Sequence, residues 1–138
     1  MRYMLLVYSK ETDMARLTPE QDHQIRAAHW AVMDETSKRG IFRGAEPLQP
    51  TSTATTLRMQ EGKIVTVDGP FAETKEQLAG YYILDCKDLD EAIAWASKLP
   101  FVCFGGEACI EIRPIRDLPA RPQQQQAANG QYAAPVAR

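Results

Sequence analysis

The 138-residue sequence predicts an α+β fold of ferredoxin-like type, βαββαβ with an extra strand or hairpin. Three observations lead to this prediction. Short apolar segments of strand length open and close the domain, two segments carry apolar residues at helical spacing, and a run of short strands lies between the two helices. This order gives one antiparallel sheet with two helices on one face.

The first strand is predicted at residues 2–8, which are apolar and are followed by polar residues. A helix then begins with Thr18 as N-cap, Pro19 at the first helical position and Gln21 at the capping-box position. Gly40 ends it after a basic last turn. Its apolar side carries residues at helical spacing, namely Ile25, Ala28, His29, Val32, Met33 and Thr36.

The middle of the chain contains short strand patterns. Strands are predicted at 41–47, 54–59 and 63–67, and Gln60-Glu61-Gly62 forms a hairpin turn between the last two. A further strand at 80–86 precedes a second helix, which Asp88 caps and Pro100 ends. That helix carries Leu89, Ala92, Ile93, Ala96 and Leu99 on one face. The final strand, 109–115, alternates apolar and charged residues.

Composition excludes several classes of protein. Hydrophobic residues are 44% and charged residues 25%, which is typical of a soluble globular domain. Residues 1–118 carry 14 basic against 18 acidic side chains, so no basic nucleic-acid-binding surface is expected. No signal peptide or membrane span is recognisable, which predicts a cytoplasmic protein. Residues 119–138 are rich in Gln, Ala and Pro, and we expect that the tail after a 1–118 domain is disordered or is held only by a partner chain.

The cysteines and short motifs give no sign of a cofactor. Cys86, Cys103 and Cys109 form neither a CxxC nor a zinc-ligand spacing, and are expected to be reduced and mostly buried thiols. The phosphate-binding glycine motifs, HExxH and GxSxG are absent from the sequence. We therefore expect neither a metal nor an organic cofactor.

The most distinctive segment is TVDGPFAETKEQLAG at residues 66–80. Asp68-Gly69-Pro70 after a strand is a turn by its chemistry, because Asp bonds nearby backbone, Gly tolerates positive φ and Pro fixes φ. A turn alone does not explain Phe71 or the charged block that follows.

This string resembles the signature of the DGPF branch of the YCII-related proteins, small bacterial members of the dimeric α+β barrel superfamily. The segments 2–8, 80–84 and 110–115 are similar to that family's first, middle and last strands, so the resemblance covers about residues 1–116. It implies a homodimer in which two sheets pack face to face around a barrel-like interior. The apolar strands support this, since two helices cover one sheet face only.

The resemblance also implies a catalytic histidine. In the broader family, a His beside an Asp, 11 residues before the helix-ending Gly, is proposed as catalytic, and His29 and Gly40 reproduce that spacing. Asp68 is the natural partner, because a carboxylate fixes the imidazole tautomer and raises its basicity for acid–base work. The alternatives are a core histidine satisfied by backbone or water, and an Asp68 that only shapes its turn.

Further candidates form a ligand-binding set. Gly69 and Pro70 would aim Asp68, and Lys75 would bind an anion at the cleft rim unless it lies on a solvated face. Tyr81 and Tyr82 point to opposite faces of their strand, so one of them should face the interior between the sheets.

Three functions stay open from the sequence. The leading one is a small cytosolic enzyme acting on a small organic molecule, with His29 as general acid–base and Asp68 as its orienter. The second is a non-catalytic ligand-binding or regulatory protein, since the resemblance implies an association with extracytoplasmic-function sigma factors. The third is an interaction module that uses the dimer and the Gln-rich tail.

Overall fold

The protein is described by a computed structural model that covers residues 1–100 and 107–122. Its elements are β1 (Arg2–Ser9), α1 (Glu11–Met14), α2 (Pro19–Lys38), β2 (Phe42–Pro47), a 3₁₀ turn (Thr51–Thr53), β3 (Thr55–Gln60), β4 (Lys63–Asp68), β5 (Gln77–Asp85), α3 (Leu89–Ala96) and β6 (Ala108–Pro114). Cys103 lies outside the described residues, and so does the predicted tail from residue 123 onward.

Four strands form one antiparallel sheet in the order β2-β5-β1-β6. This is the ferredoxin-like order, so the predicted α+β fold class is confirmed. One row of paired residues crosses the whole sheet, with Ala45, Tyr82, Leu5 and Ile112 side by side. The other two strands, β3 and β4, pair with each other as a separate hairpin.

Both main helices pack on the same face of the sheet. The core joins side chains of the central strands to side chains of α2 and α3, and it includes Tyr3, Leu5, Val32, Tyr82, Leu84, Ala92 and Trp95. Because strand side chains alternate between faces, Met4, Leu6 and Ile83 lie on the opposite face and are half-buried. The described helices do not cover that face.

The ends of α2 follow from local chemistry as predicted. Thr18 and Gln21 form a complete capping box, and each side chain bonds the backbone N–H of the other. Gly40, with φ of +72°, takes the left-handed conformation after the last turn. Across the described residues, no helix combines the length and the apolar composition needed to cross a bilayer.

The helix α3, predicted to run from Asp88 to Pro100, is shorter than predicted. It ends at Ala96 with Ser97 as its C-cap, and the N–H groups of Lys98 and Leu99 then donate three residues back, to Trp95 and Ala96. Pro100 explains this tightening, because a proline disfavours helical backbone at the residue before it. Leu99 is nevertheless buried in the core, as the apolar pattern indicated.

Two further differences concern β5 and the cysteines. β5 begins at Gln77, three residues earlier than predicted, and its pairing with β1 shifts register beside Tyr8. The side chain of Gln77 accepts a hydrogen bond from the N–H of Glu11, in the short helix α1 that the pattern did not predict. Cys86 is buried as expected, but Cys109 is exposed because it pairs with Tyr8 on the uncovered side of β6.

The β3–β4 hairpin has the predicted turn. Glu61 and Gly62 have φ of +49° and +76°, the left-handed pair that a two-residue hairpin turn requires. Its apolar side chains Leu57, Met59 and Ile64 are exposed, at 65–70% of their surface. This hairpin is the predicted extra element, and it lies outside the helix-covered core.

Candidate functional site

A pocket of about 460 Å³ lies between α2 and the β2–β5 edge of the sheet. Its apolar walls include Val7, Met33, Ala45 and Pro47. Gly80 contributes no side chain, and a Cβ at that position would come within 2.7 Å of the Glu46 carbonyl oxygen. Glycine therefore lets the backbone of β2 approach β5 closely at this wall of the pocket.

His29 and Tyr82 form a polar pair in the wall of this pocket, whose lining also includes Arg26 and Glu46. Nδ1 of His29 lies 2.6 Å from the Tyr82 hydroxyl, a short hydrogen bond between α2 and β5. The two rings are within 17° of parallel, and their centroids are 5.8 Å apart. Tyr82 is 4% exposed and His29 is half-buried, so the pair connects the core to the pocket.

Burial sets the protonation of both groups. Loss of solvation lowers the pKa of His29 and raises the pKa of Tyr82 to about 12. At neutral pH this favours a neutral imidazole hydrogen-bonded to a neutral phenol.

The mouth of the pocket carries a cation and an aromatic ring. Arg26 forms an exposed ion pair with Asp22, with 3.0 Å between Nη2 and Oδ2. Trp30 borders the pocket and is 54% exposed. Neither residue was predicted from the sequence, although a large aromatic side chain next to His29 on the open side of a helix was an available signal.

The first 119 residues match the model of the YCII-related domain. The chain belongs to the YCII-related family. An uncharacterised protein from Rhizobium meliloti (strain 1021) is 39% identical over 115 residues, which cover 83% of this chain and 92% of that relative. Because that relative is itself uncharacterised, the match supports family membership and names no reaction.

In this YCII-related protein, His29 lies on α2, which packs on the four-stranded sheet, whereas Asp68 lies on the separate β3–β4 hairpin. Asp68 ends β4, pairs with Thr55 across the hairpin and is exposed. No hydrogen bond or ion pair among the described residues joins it to His29, whose partner is Tyr82. Asp68 was expected to be the partner of His29, but among the described strands β4 pairs with β3 alone and is not part of the four-stranded sheet on which α2 packs.

Gly69 and Pro70 form the turn that follows Asp68. Gly69 has φ of +99°, as its place in the turn predicted. Its N–H donates to the Ala54 carbonyl at 2.7 Å, and its carbonyl accepts from the Thr56 hydroxyl at 2.8 Å. Pro70 is exposed. These bonds attach the signature loop to β3, at the base of the hairpin.

The signature loop is also held at its other end. Lys75 forms an exposed ion pair with Glu107, with 2.9 Å between Nζ and Oε2. The hydrogen bond and charge of Glu107 raise the pKa of Lys75. Lys75 is not among the residues that line the pocket.

The two tyrosines divide as the strand alternation predicted. Tyr82 faces α2 from within the core, whereas Tyr81 is half-buried and pairs with Leu6, on the row facing away from the helices. Tyr81 also borders the pocket, at the strand edge. Among residues 1–100 and 107–122, no three His, Cys, Asp or Glu residues come together as metal ligands.

Proposed function

We propose that this protein binds and acts on a small, largely apolar organic molecule in the pocket beside α2. The observation that carries this is the pair of His29 and buried Tyr82, which brings two convergent polar groups to a largely apolar pocket that Arg26 and Glu46 also border. A concave apolar site with a few polar groups and a shifted pKa is typical of ligand sites. Its volume of about 460 Å³ suits one small ligand.

An enzyme activity is supported by the chemistry of His29. Imidazole changes protonation close to neutral pH, so it can exchange a proton with a bound substrate. The pocket confines such a substrate against apolar walls, where a hydrogen bond gains strength from the lower dielectric. His29 is the group we expect to contact the substrate.

A non-catalytic binding protein is the second candidate, and one observation favours it. Tyr82 orients the ring of His29 without supplying the negative charge that would stabilise an imidazolium ion. A histidine held in this way can fix the orientation of a ligand without catalysing its conversion.

Ligand screening separates these two candidates. Small aromatic and alicyclic compounds would be added to labelled protein while the ring signals of His29 and the fluorescence of Trp30 are followed, with Trp30→Phe to identify the fluorescence change. Ala45→Leu, which fills the pocket, should abolish binding, whereas the matched Ala27→Leu on the exposed side of α2 should not.

The outcomes have distinct meanings. If a bound compound is converted, and His29→Gln abolishes this conversion, the protein is an enzyme. Saturable binding without conversion would show that it is a non-catalytic binding protein. Compounds that bind elsewhere and leave His29 and Trp30 unaffected would overturn the proposal.

We also propose a homodimer through the uncovered sheet face. The described helices leave Met4, Leu6 and Ile83 on that face without cover, and an apolar sheet face of this kind is characteristic of an interface. Light scattering should give about twice the 15.5 kDa of one chain, and Leu6→Glu should shift it toward the monomer. A wild-type monomer at micromolar concentration would contradict this. The sigma-factor association stays a prediction.

A further inference from the structure

We propose that Tyr82 fixes the tautomer of His29, so that His29 meets its ligand as a hydrogen-bond donor. In this arrangement the Tyr82 hydroxyl donates to Nδ1, and Nε2 carries the proton. The ligand group that His29 takes is then an acceptor oxygen, as in a small apolar carbonyl compound. This inference rests on the proposed function and specifies its ligand class.

The hydrogen-bond inventory of the pair carries the argument. A neutral imidazole has one donor and one acceptor nitrogen, and a phenol has one donor hydrogen. At 2.6 Å, either the hydroxyl donates to Nδ1 or Nδ1–H donates to the hydroxyl oxygen. The imidazole proton lies on Nε2 in the first arrangement and on Nδ1 in the second, so its position distinguishes the two.

Burial of Tyr82 selects the first arrangement. Tyr82 is 4% exposed, and in the described part of the chain its hydroxyl has His29 as its one hydrogen-bond partner. If Nδ1 donated, the buried O–H would have no acceptor, a situation that folded proteins avoid. With Tyr82 as donor, the needs of both groups are met. The lowered pKa of His29 and the raised pKa of Tyr82 are both consistent with this arrangement, because they keep the imidazole and the phenol neutral.

The consequence for chemistry is a change of role. A carboxylate partner accepts from Nδ1–H and leaves Nε2 as a base, which was the expectation for Asp68. A tyrosine donor reverses this and leaves Nε2–H. Such a donor polarises a carbonyl or stabilises an oxyanion, and the proton that His29 can exchange with a substrate is then the one on Nε2. The apolar walls at Val7, Met33 and Ala45 suit the remainder of the ligand.

Nitrogen NMR tests the tautomer without any ligand. Protein labelled with ¹⁵N at histidine would be measured near pH 8, where an ordinary imidazole is neutral. We expect His29 to show a protonated Nε2 and an unprotonated Nδ1, with exposed His23 as an internal reference. Tyr82→Phe should remove the preference, and Tyr81→Phe, next to it on the strand, should keep it. A wild-type His29 protonated at Nδ1 overturns the proposal, even if Tyr82→Phe does not fold.

A pair of isosteric probes tests the ligand class. Acetophenone carries a carbonyl oxygen, and α-methylstyrene carries a methylene group in its place. We expect acetophenone to bind roughly tenfold more tightly, the value of one hydrogen bond, and Tyr82→Phe to shrink this ratio. Equal affinities would overturn the ligand class and leave the pocket as a binding site. If neither probe binds at millimolar concentration, the ligand class is also overturned, while screening with other compounds still decides the proposed function.

Discussion

The four-stranded sheet with α2 and α3 packed on it (the body) and the β3–β4 hairpin differ in how far their apolar side chains are buried. In the body, Leu5 and Leu84 are fully buried between the sheet and the helices. In the hairpin, Leu57, Met59 and Ile64 are exposed, and the two strands pair only with each other among the described strands. A two-stranded hairpin without a packed face is marginally stable by itself. The body therefore supplies the stability of the fold.

The signature segment, residues 66–80, contacts the hairpin, whereas the pocket lies in the body. The loop that begins at Gly69 is attached to β3 by backbone and side-chain hydrogen bonds, and Arg58 donates to the Phe71 carbonyl at 2.6 Å. His29 and Tyr82 belong to the body. Within one chain, the most distinctive segment of the sequence is therefore bonded to the hairpin, and the His29–Tyr82 pair lies elsewhere.

The largest expected difference between the two regions is in the loss of stability when a leucine side chain is shortened to alanine. Leu84→Ala leaves a cavity in the core and should lower the free energy of unfolding by about 2–5 kcal/mol. Leu57→Ala removes a side chain that is 65% exposed and should change it by less than about 0.5 kcal/mol. Urea denaturation measures both. A large, concentration-dependent loss in Leu57→Ala would show that a second copy covers the hairpin.

Two glycines test how closely the body is packed. Gly80→Ala places a methyl group 2.7 Å from the Glu46 carbonyl oxygen, so the β2–β5 pairing must open, at a cost of about 1–3 kcal/mol. Gly44→Ala is the matched control, because a Cβ there meets no atom within 4 Å. Thermal unfolding of the two variants gives the comparison. Equal stability would mean that β2 can move away from β5 without cost.

Gly69 tests the hairpin by a different mechanism. A Cβ at Gly69 also meets open space, but its φ of +99° is unfavourable for alanine, so Gly69→Ala should cost about 1 kcal/mol. Because β3 and β4 pair only with each other among the described strands, we expect faster amide exchange in the hairpin and little change in β1. Unchanged exchange in the hairpin would show that the turn tolerates another conformation.

The features that local chemistry determines could be predicted from the sequence. The capping box of α2, the left-handed Gly40 and the Glu61-Gly62 turn each depend on residues a few positions apart. The strand order followed from the alternation of strands and helices, because few topologies suit that order.

The site could be predicted only in part. His29 was found through its place on the apolar side of α2, but its partner Tyr82 is 53 residues away. Asp68 was a reasonable candidate for that partner, since it directly follows a predicted strand, and Tyr82 lies within another. Strand patterns do not specify which strands share a sheet, and β4 joins β3 in a sheet of their own. The identity of the partner was therefore decided by long-range pairing.

The smallest expected effect, the pH dependence of His29, tests whether the two regions remain separate. Burial lowers the pKa of folded His29 below the ordinary value of 6.5, so the unfolded chain binds the proton more readily. The contribution of His29 to stability is then complete above about pH 6.5 and is lost as the pH falls through the folded pKa. His29→Gln should flatten this part of the stability curve, and His23→Gln on the exposed side should not.

The NMR titration of His29 measures the same shift directly. Tyr82→Phe should change the titration curve, because it removes the one described hydrogen-bond partner of the ring, and Asp68→Asn should leave it unchanged. A folded pKa above 6.5 that falls in Asp68→Asn would reverse this conclusion, since it requires a carboxylate beside the imidazole. Asp68 ends β4 in the separate hairpin sheet, so that result would bring the hairpin of a second copy to the pocket and return Asp68 to the role of orienter.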